Sequence, residues 1–280
     1  MKIAWIGTGV MGRPMALNLK KGGYDVHVYN RTVSKAFDME EHGVTAHETI
    51  KSCVKDADFV FTIVGYPKDV ENVFEEAFKY AKKGAVIVDM TTSSPTLAKE
   101  LYQKGETLGF KVLDAPVTGG DLGAINGTLS IMVGGDKDIF NKVLPLFNQM
   151  GKTVNYMGKA GSGQYAKLAN QAAIAGAIAG VAEALSFAKE KGLDLNKVLN
   201  VLTGGSANSW QAANNGFKMI SDDFEPGFYI KHFLKDLNLI LEEANTFNPE
   251  VVKTVQKIYN KLNEDGYGDL RTQALIKYYI

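Results

Sequence analysis

Lys167, Asn170 and Gln171 stand close together in the run GSGQYAKLANQ. On a helix, residues three and four apart share a face. A cation and two amides would therefore project together from one side of the chain. A lysine ordinarily titrates near ~10.4, too high for a good base near neutrality. Burial in a cleft, or a second cation such as Lys235 nearby, would make proton exchange with a substrate oxygen practicable. A solvated first helical turn would carry the same three residues.

A second grouping lies in GTGVMG, with Gly7, Gly9 and Gly12 around Thr8, Val10 and Met11. It follows the apolar run of residues 2–6 and opens a helix that ends at Gly22 and Gly23. Strand, glycine loop and helix are the setting of the dinucleotide fingerprint. Gly7 allows the turn, Gly9 lets backbone amides approach a pyrophosphate, and Gly12 lets helix and strand pack closely. The helix N-terminus adds partial positive charge. The next strand, residues 25–29, ends in Asn30-Arg31-Thr32. The acid that usually binds the ribose 2′-hydroxyl is absent there. A guanidinium suits a phosphate, so NADP is favoured and NAD is the alternative. Arg31 stacked on adenine would discriminate little.

Other candidates sit where strands end. Ile63 and Val64 close the strand of residues 59–64, at the end where open α/β sheets bind ligands. Thr91 and Thr92 follow the strand of residues 85–89. Their hydroxyls could meet cofactor or substrate, or could cap the helix that opens at Pro95. Thr118, Gly119 and Gly120 would expose consecutive backbone amides beside a hydroxyl, which suits a carboxylate; a bare turn is the other reading. Lys235 is placed to reach a cofactor or substrate, or to form a surface ion pair.

The elements that must position these residues follow from periodicity. Strand and helix alternate up to about residue 158, which predicts a Rossmann-type doubly wound, mostly parallel α/β sheet. Helices are expected at residues 34–42, 49–55 and 137–150, and strands near Val44 and at residues 110–114, 129–133 and 153–156. Residues 161–191 contain no proline and close on Gly192, predicting one long joining helix. The rest reads as an all-α helical domain, with a Pro-Gly break at Pro226, a helix from Pro249 to about Gly266 and a last one from Leu270. The expected domains are 1–159, dinucleotide-binding, and 160–280, helical, for substrate and oligomerisation.

Composition narrows the function classes. The 280 residues carry 31 basic and 31 acidic side chains, so no basic surplus points to nucleic acid. The single cysteine, Cys53, excludes an internal disulfide framework and fits a reducing compartment. With four histidines it shows no metal-ligand spacing, so no metal is expected. The N-terminus enters a strand at once without a targeting pattern. Glu183 interrupts the alanine-rich helix, predicting a buried helix rather than a membrane span. Gly176 and Gly180 predict close helix packing there. A cytoplasmic location is expected, with self-association as a homodimer or homotetramer through the apolar helical half.

GTGVMGRPMALNL, DAPVTGGDLGAINGTL, GSGQYAKLANQ and KDLNLILEEA occur in this order and span essentially the whole chain. In them the sequence resembles the β-hydroxyacid dehydrogenase family, typified by 3-hydroxyisobutyrate dehydrogenase and tartronate semialdehyde reductase. The resemblance implies that Lys167 is the catalytic lysine and Asn170 or Gln171 the amide beside it. It implies that residues 118–120 bind the carboxylate of a small substrate, that Lys235 lies near nicotinamide and substrate, and that Thr92 contacts the cofactor. Thr118 stands where the family usually has serine, its methyl narrowing the pocket. Thr8 replaces the usual leucine of the glycine loop. The implied reaction is hydride transfer between NADP and a β-hydroxy acid or its semialdehyde. NAD-dependent oxidation of 3-hydroxyisobutyrate is the alternative within enzymes, and a non-catalytic dinucleotide sensor the alternative outside them.

Overall fold

The computed structural model describes residues 1–225 and 227–279. Pro226, of the expected Pro-Gly break, lies outside them. The chain divides into two compact units, Met1–Lys167 and Leu168–Ile280.

The first unit contains nine strands: β1 (Lys2–Ile6), β2 (Asp25–Tyr29), β3 (Thr45–His47), β4 (Phe59–Thr62), β5 (Val86–Asp89), β6 (Lys111–Asp114), β7 (Val117–Thr118), β8 (Leu129–Gly135) and β9 (Gly151–Gly158). Between them run α1 (Gly12–Lys21), α2 (Ser34–Phe37), α3 (Ile50–Val54), α4 (Pro67–Tyr80), α5 (Pro95–Leu108), α6 (Gly120–Asn126) and α7 (Lys137–Phe147). The sheet order is β3-β2-β1-β4-β5-β6-β8-β7, with β9 on β8. The first six strands are parallel; β8 runs antiparallel to β6 and β7, and β9 parallel to β8. The doubly wound expectation therefore holds.

Alternation along β1 explains its burial on both faces. Ile3 and Trp5 enter one core, with Val28 and Phe61, while Ala4 and Ile6 enter the other, with Val60 and Ile87. Trp5 and Phe61 are register partners whose rings stack 5.5 Å apart. Cys53, fully buried in the second core, donates its Sγ–H to the His27 carbonyl at 3.5 Å. Burial pushes its thiol up to about 12.

Three local expectations need correction. The helix expected over residues 34–42 breaks after Phe37 and resumes as a 3-10 turn at Glu40–His42. The glycine-rich run after Ala115 hides two elements, β7 and the start of α6, which its composition masks. The cap of α5 is Ser94, whose Oγ accepts from the Leu97 amide at 3.2 Å, so Thr91 and Thr92 are not its caps.

At the sheet edge, His27 on β2 meets His47 on β3, Nδ1 to Nε2, at 2.8 Å. Asp25 Oδ2 lies 3.3 Å from the other His27 nitrogen. One ring must donate and the other accept, so a proton on both faces sets N–H against N–H. Both pKa values are lowered, chiefly by burial, with Lys2 acting next on His27 and His27 itself next on His47. A histidine lowered in the folded state gives stability that is present above its unfolded value, ~6.5, and is lost as pH falls below it. Melting temperature should therefore drop between about pH 7 and pH 5. His47→Gln should flatten that slope in thermal melts across this range.

α8 (Ser162–Glu190) is 29 residues long. By length and composition it could cross a membrane, yet Ala175, Ile178, Ala182 and Leu185 are fully buried in the second unit's core. That unit continues with α9 (Leu195–Gly204), α10 (Trp210–Ile220), α11 (Ile230–Glu243) and α12 (Glu250–Leu262). Asp194 Oδ1 caps α9, accepting from the Asn196 and Lys197 amides. The helix expected from Pro249 to about Gly266 holds in extent but changes type, α12 ending at Leu262 and continuing as a π-helical turn, Asn263–Tyr267; the last helix is 3-10, Thr272–Tyr278.

Candidate active site

Two of the three loop glycines are required by packing. Gly7 has φ +98°, and a Cβ there would lie 2.1 Å from the Ile63 carbonyl oxygen. A Cβ on Gly12 would lie 2.0 Å from the Gly7 oxygen. Gly9 differs, since nothing stands within 4 Å of where its Cβ would be. Its bare backbone faces open space at the start of α1, the side from which an anionic ligand can approach amides and helix dipole together. Thr8, Gly9, Val10, Arg13 and Lys35 line a groove there, with two cations among them. These residues fit a dinucleotide.

Asn30 ties this loop to the end of β2. Its Oδ1 accepts from the Thr8 amide at 3.0 Å, and its Nδ2 donates to the Thr32 carbonyl at 3.0 Å. Thr8 Oγ1 donates to the Lys35 carbonyl. Arg31, between the tied residues, has its side chain 88% exposed and pairs with Asp69 on α4 at 3.2 Å. Val10 is exposed and Met11 half-buried. Ile63 and Val64 are half-buried beyond β4, and the Val64 amide donates to Thr91 Oγ1 at 3.0 Å. The glycine loop, residues 63–64 and residue 91 thus meet at the C-terminal ends of β1, β4 and β5.

The start of α8 is fixed by two buried side chains. Asp114, at the end of β6, accepts from the Gly161 amide at 2.8 Å and the Gln164 amide at 2.9 Å. It caps the helix from across the sheet, supplying partners for amides that no helical carbonyl can reach. Burial pushes its carboxyl pKa up, and the amide donors pull against that. Gln164, fully buried, accepts from the Ser93 amide at 2.9 Å and donates to the Thr91 carbonyl at 2.7 Å. Thr92 lies between these two anchors. Lys167, 6% exposed, lies three residues past Gln164 on α8. The helix is thereby locked to the β5–α5 loop one turn before the lysine. A Cβ on Gly163 would sit 2.4 Å from the Met132 oxygen and 2.6 Å from that of Asp114, so the approach requires glycine there.

Thr118 is half-buried on β7. Gly119 and Gly120 follow with φ +133° and +67°, and α6 begins at Gly120. No atom stands within 4 Å of a Cβ on Gly120. The segment is a turn leading into a helical first turn, where backbone N–H groups lack helical partners.

Within the second unit, Asn170 Nδ2 donates to Gln171 Oε1 at 3.0 Å, and Gln171 Nε2 donates to Asp236 Oδ2 at 2.6 Å. Lys235 Nζ lies 2.9 Å from Asp236 Oδ1. Gln171 is fully buried and Asp236 1% exposed. Among the described residues, no group of three histidine, cysteine or acidic side chains could hold a metal.

Sequence reasoning passed over Asp114, Gln164 and Asp236. The acids and amide join partners 47, 71 and 65 residues away, so no local spacing reports them.

Residues 2–158 match the NAD-binding domain of 6-phosphogluconate dehydrogenase. Residues 161–279 match the NAD-binding domain of NADP-dependent 3-hydroxyisobutyrate dehydrogenase. An uncharacterised oxidoreductase of Bacillus subtilis is 44% identical, covering 99% of this chain and 98% of its own. The 2-hydroxy-3-oxopropionate reductase of Escherichia coli is 40% identical over 99% of this chain and 96% of its own. The structure of Mycobacterium tuberculosis 3-hydroxyisobutyrate dehydrogenase with L-serine is similar at TM-score 0.89 and 31% identity, covering 99% and 98% of the two chains. The chain belongs to the β-hydroxyacid dehydrogenase family and is an NAD(P)-dependent dehydrogenase.

Proposed function

We propose that this enzyme reduces a small semialdehyde carrying a carboxylate, or oxidises the matching β-hydroxy acid, with NADP preferred and Lys167 as general acid and base. The observation that carries the reading is the placement of Lys167. It is a buried cation one helical turn beyond Gln164, whose amide grips both sides of Thr92.

The cofactor, when bound, supplies or accepts the hydride. Residues 7–12 hold its pyrophosphate on the α1 N-terminus, Asn30, Arg31 and Thr32 face its adenosine end, and Ile63, Val64 and Thr92 line the path towards its ring. Thr118, with the amides of Gly119 and Gly120, binds the substrate carboxylate. Lys167 Nζ gives a proton to the carbonyl oxygen during reduction and takes it from the hydroxyl during oxidation. Asn170, with Gln171 behind it on the same helix, orients that oxygen, and Lys235 adds positive charge on the substrate and nicotinamide side. Residues 1–159 act as the cofactor domain. Residues 160–280 provide the helical half, through which a homodimer or homotetramer forms in the cytoplasm.

Arg31 carries the NADP preference. Its guanidinium is held only by a surface pair with Asp69, a weak contact that a phosphate can share or replace. A phosphate offers a second anionic partner in the planar geometry guanidinium prefers. Arg31→Gln should raise the KM for NADPH by about tenfold and that for NADH by less than about twofold, since one charged hydrogen-bonded contact is worth ~1.5–3 kcal/mol. An equal change for both cofactors would remove the 2′-phosphate assignment. The Arg31–Asp69 pair also supports a second reading. With that guanidinium already engaged, the enzyme would oxidise 3-hydroxyisobutyrate with NAD. Steady-state assays of short 3-hydroxy acids and semialdehydes with both cofactors decide between the two.

A further inference from the structure

A chain of polar side chains runs through the second unit from Asp236 to Asn170, and its direction is fixed by chemistry. Asp236 is 1% exposed and its Oδ1 faces the Lys235 ammonium at 2.9 Å. Paired with a cation, the carboxylate has only acceptors to offer. Gln171, fully buried, must then turn its NH₂ towards Asp236, and it does so at 2.6 Å. The Gln171 Oε1 is left facing Asn170. An oxygen accepts, so Asn170 must turn its own NH₂ inward, and it does so at 3.0 Å. The Asn170 Oδ1 is consequently directed away from Gln171. Each amide orientation follows from the one before it, so the usual ambiguity between amide nitrogen and oxygen disappears.

We propose that Asp236 is a positioning residue: through Gln171 it fixes Asn170 with its amide oxygen, rather than its NH₂, presented to the substrate. The inference rests on the assignment of Asn170 to the substrate oxygen given above. An acceptor at that point suits the hydroxyl of the β-hydroxy acid in oxidation; in reduction, where the substrate carbonyl oxygen only accepts, it suits the Lys167 ammonium that donates to that oxygen. An amide NH₂ there would oppose both. Asp236 thereby sets the polarity of a contact it does not itself make.

Asp236→Asn reverses the chain with almost no change in shape. The oxygen of the introduced amide stays on the Lys235 ammonium, so its NH₂ faces Gln171. Gln171 then turns its oxygen towards position 236 and its NH₂ towards Asn170, and Asn170 presents its NH₂ outward. The expected result is a fall in kcat of about 10- to 100-fold, as for a misdirected hydrogen bond at a reacting group. The KM for NADPH should change little, whereas the melting temperature should fall, because the Lys235 ammonium loses its buried carboxylate. Adding Asn170→Asp to this variant supplies a carboxylate that accepts from the reversed Gln171 and still presents an oxygen outward. The double variant, which lacks the same carboxylate at position 236, should melt as low yet regain at least about tenfold in kcat. Alone, Asn170→Asp sets two acceptors against each other and should be less active than the double variant.

A kcat for Asp236→Asn within about twofold of the parent overturns the proposal, as does a double variant no more active than Asp236→Asn. A readout without catalysis separates this inference from the functional reading. Side-chain amide NMR of the unliganded protein should show the Gln171 NH₂ shifted by the carboxylate, and the shift should vanish in Asp236→Asn. An unchanged Gln171 resonance overturns the proposal even in an active enzyme. A parent protein inactive on every hydroxy acid and semialdehyde tried would instead count against the functional reading and leave the NMR result to decide this one.

Discussion

Replacing Lys167 with alanine is expected to lower kcat by about 10³-fold, within the range for a removed general acid–base. NADPH affinity should stay within about twofold, because the glycine loop and residues 30–32 belong to separate elements from α8. Alanine is the best helix former, so the helix persists. Its start is still held by Asp114 and Gln164. Lys167→Arg keeps a positive charge but holds its proton at every working pH, so it should be nearly as inactive. Fluorescence titration with NADPH followed by single-turnover hydride transfer measures both quantities. Near-normal turnover in Lys167→Ala would take the lysine out of its assigned role.

The second large effect is expected at Asp114. Asp114→Ala should cost about 3–5 kcal/mol of unfolding free energy, since it strips acceptors from buried amides at a helix start. Asp114→Asn should cost about 1–3 kcal/mol, because one carboxylate oxygen becomes an NH₂ facing an N–H. Urea unfolding of both variants, read against the parent, checks the order. The pH sign also differs from that of the edge histidines. A carboxyl whose folded pKa is raised keeps its proton longer than in the unfolded chain as pH rises. Asp114 therefore adds nothing to acid lability, and its ionisation is a cost that is complete once pH passes its folded value. The loss of stability below about pH 6.5 belongs to His27, His47 and His232, all three lowered chiefly by burial. Turnover should fall in Asp114→Asn as well, because the turn that carries Lys167 loses an anchor.

The readable parts of this fold were those whose cause is local. Ile3, Trp5 and their neighbours announce a doubly covered strand by being apolar without interruption. Gly161 and Gly192 bracket α8, with Lys189 near its end. Lys167, Asn170 and Gln171 came forward together because a helix turns spacing in sequence into proximity. The same local logic failed at β7 and α6, whose glycines read as a loop. It also failed to separate a cap from a contact at Thr91 and Thr92, since both uses need a hydroxyl after a strand. The order of the chain gives no hint that Asp114 reaches Gly161, or that Asp236 reaches Gln171, because those meetings exist only once the sheet and the helical core have formed. Arg31 was visible as a cation in the right loop, but its pairing with Asp69 depends on where α4 begins.

The lone sulfhydryl of this chain has a practical consequence. With its thiol near 12 and fully enclosed, Cys53 presents roughly one thiolate in 10⁵ molecules at neutral pH. Maleimides, iodoacetamide and mild oxidants should leave the native enzyme untouched. A cysteine introduced at any exposed position would then be the sole target for a spin label or fluorophore, with no need to remove the original one.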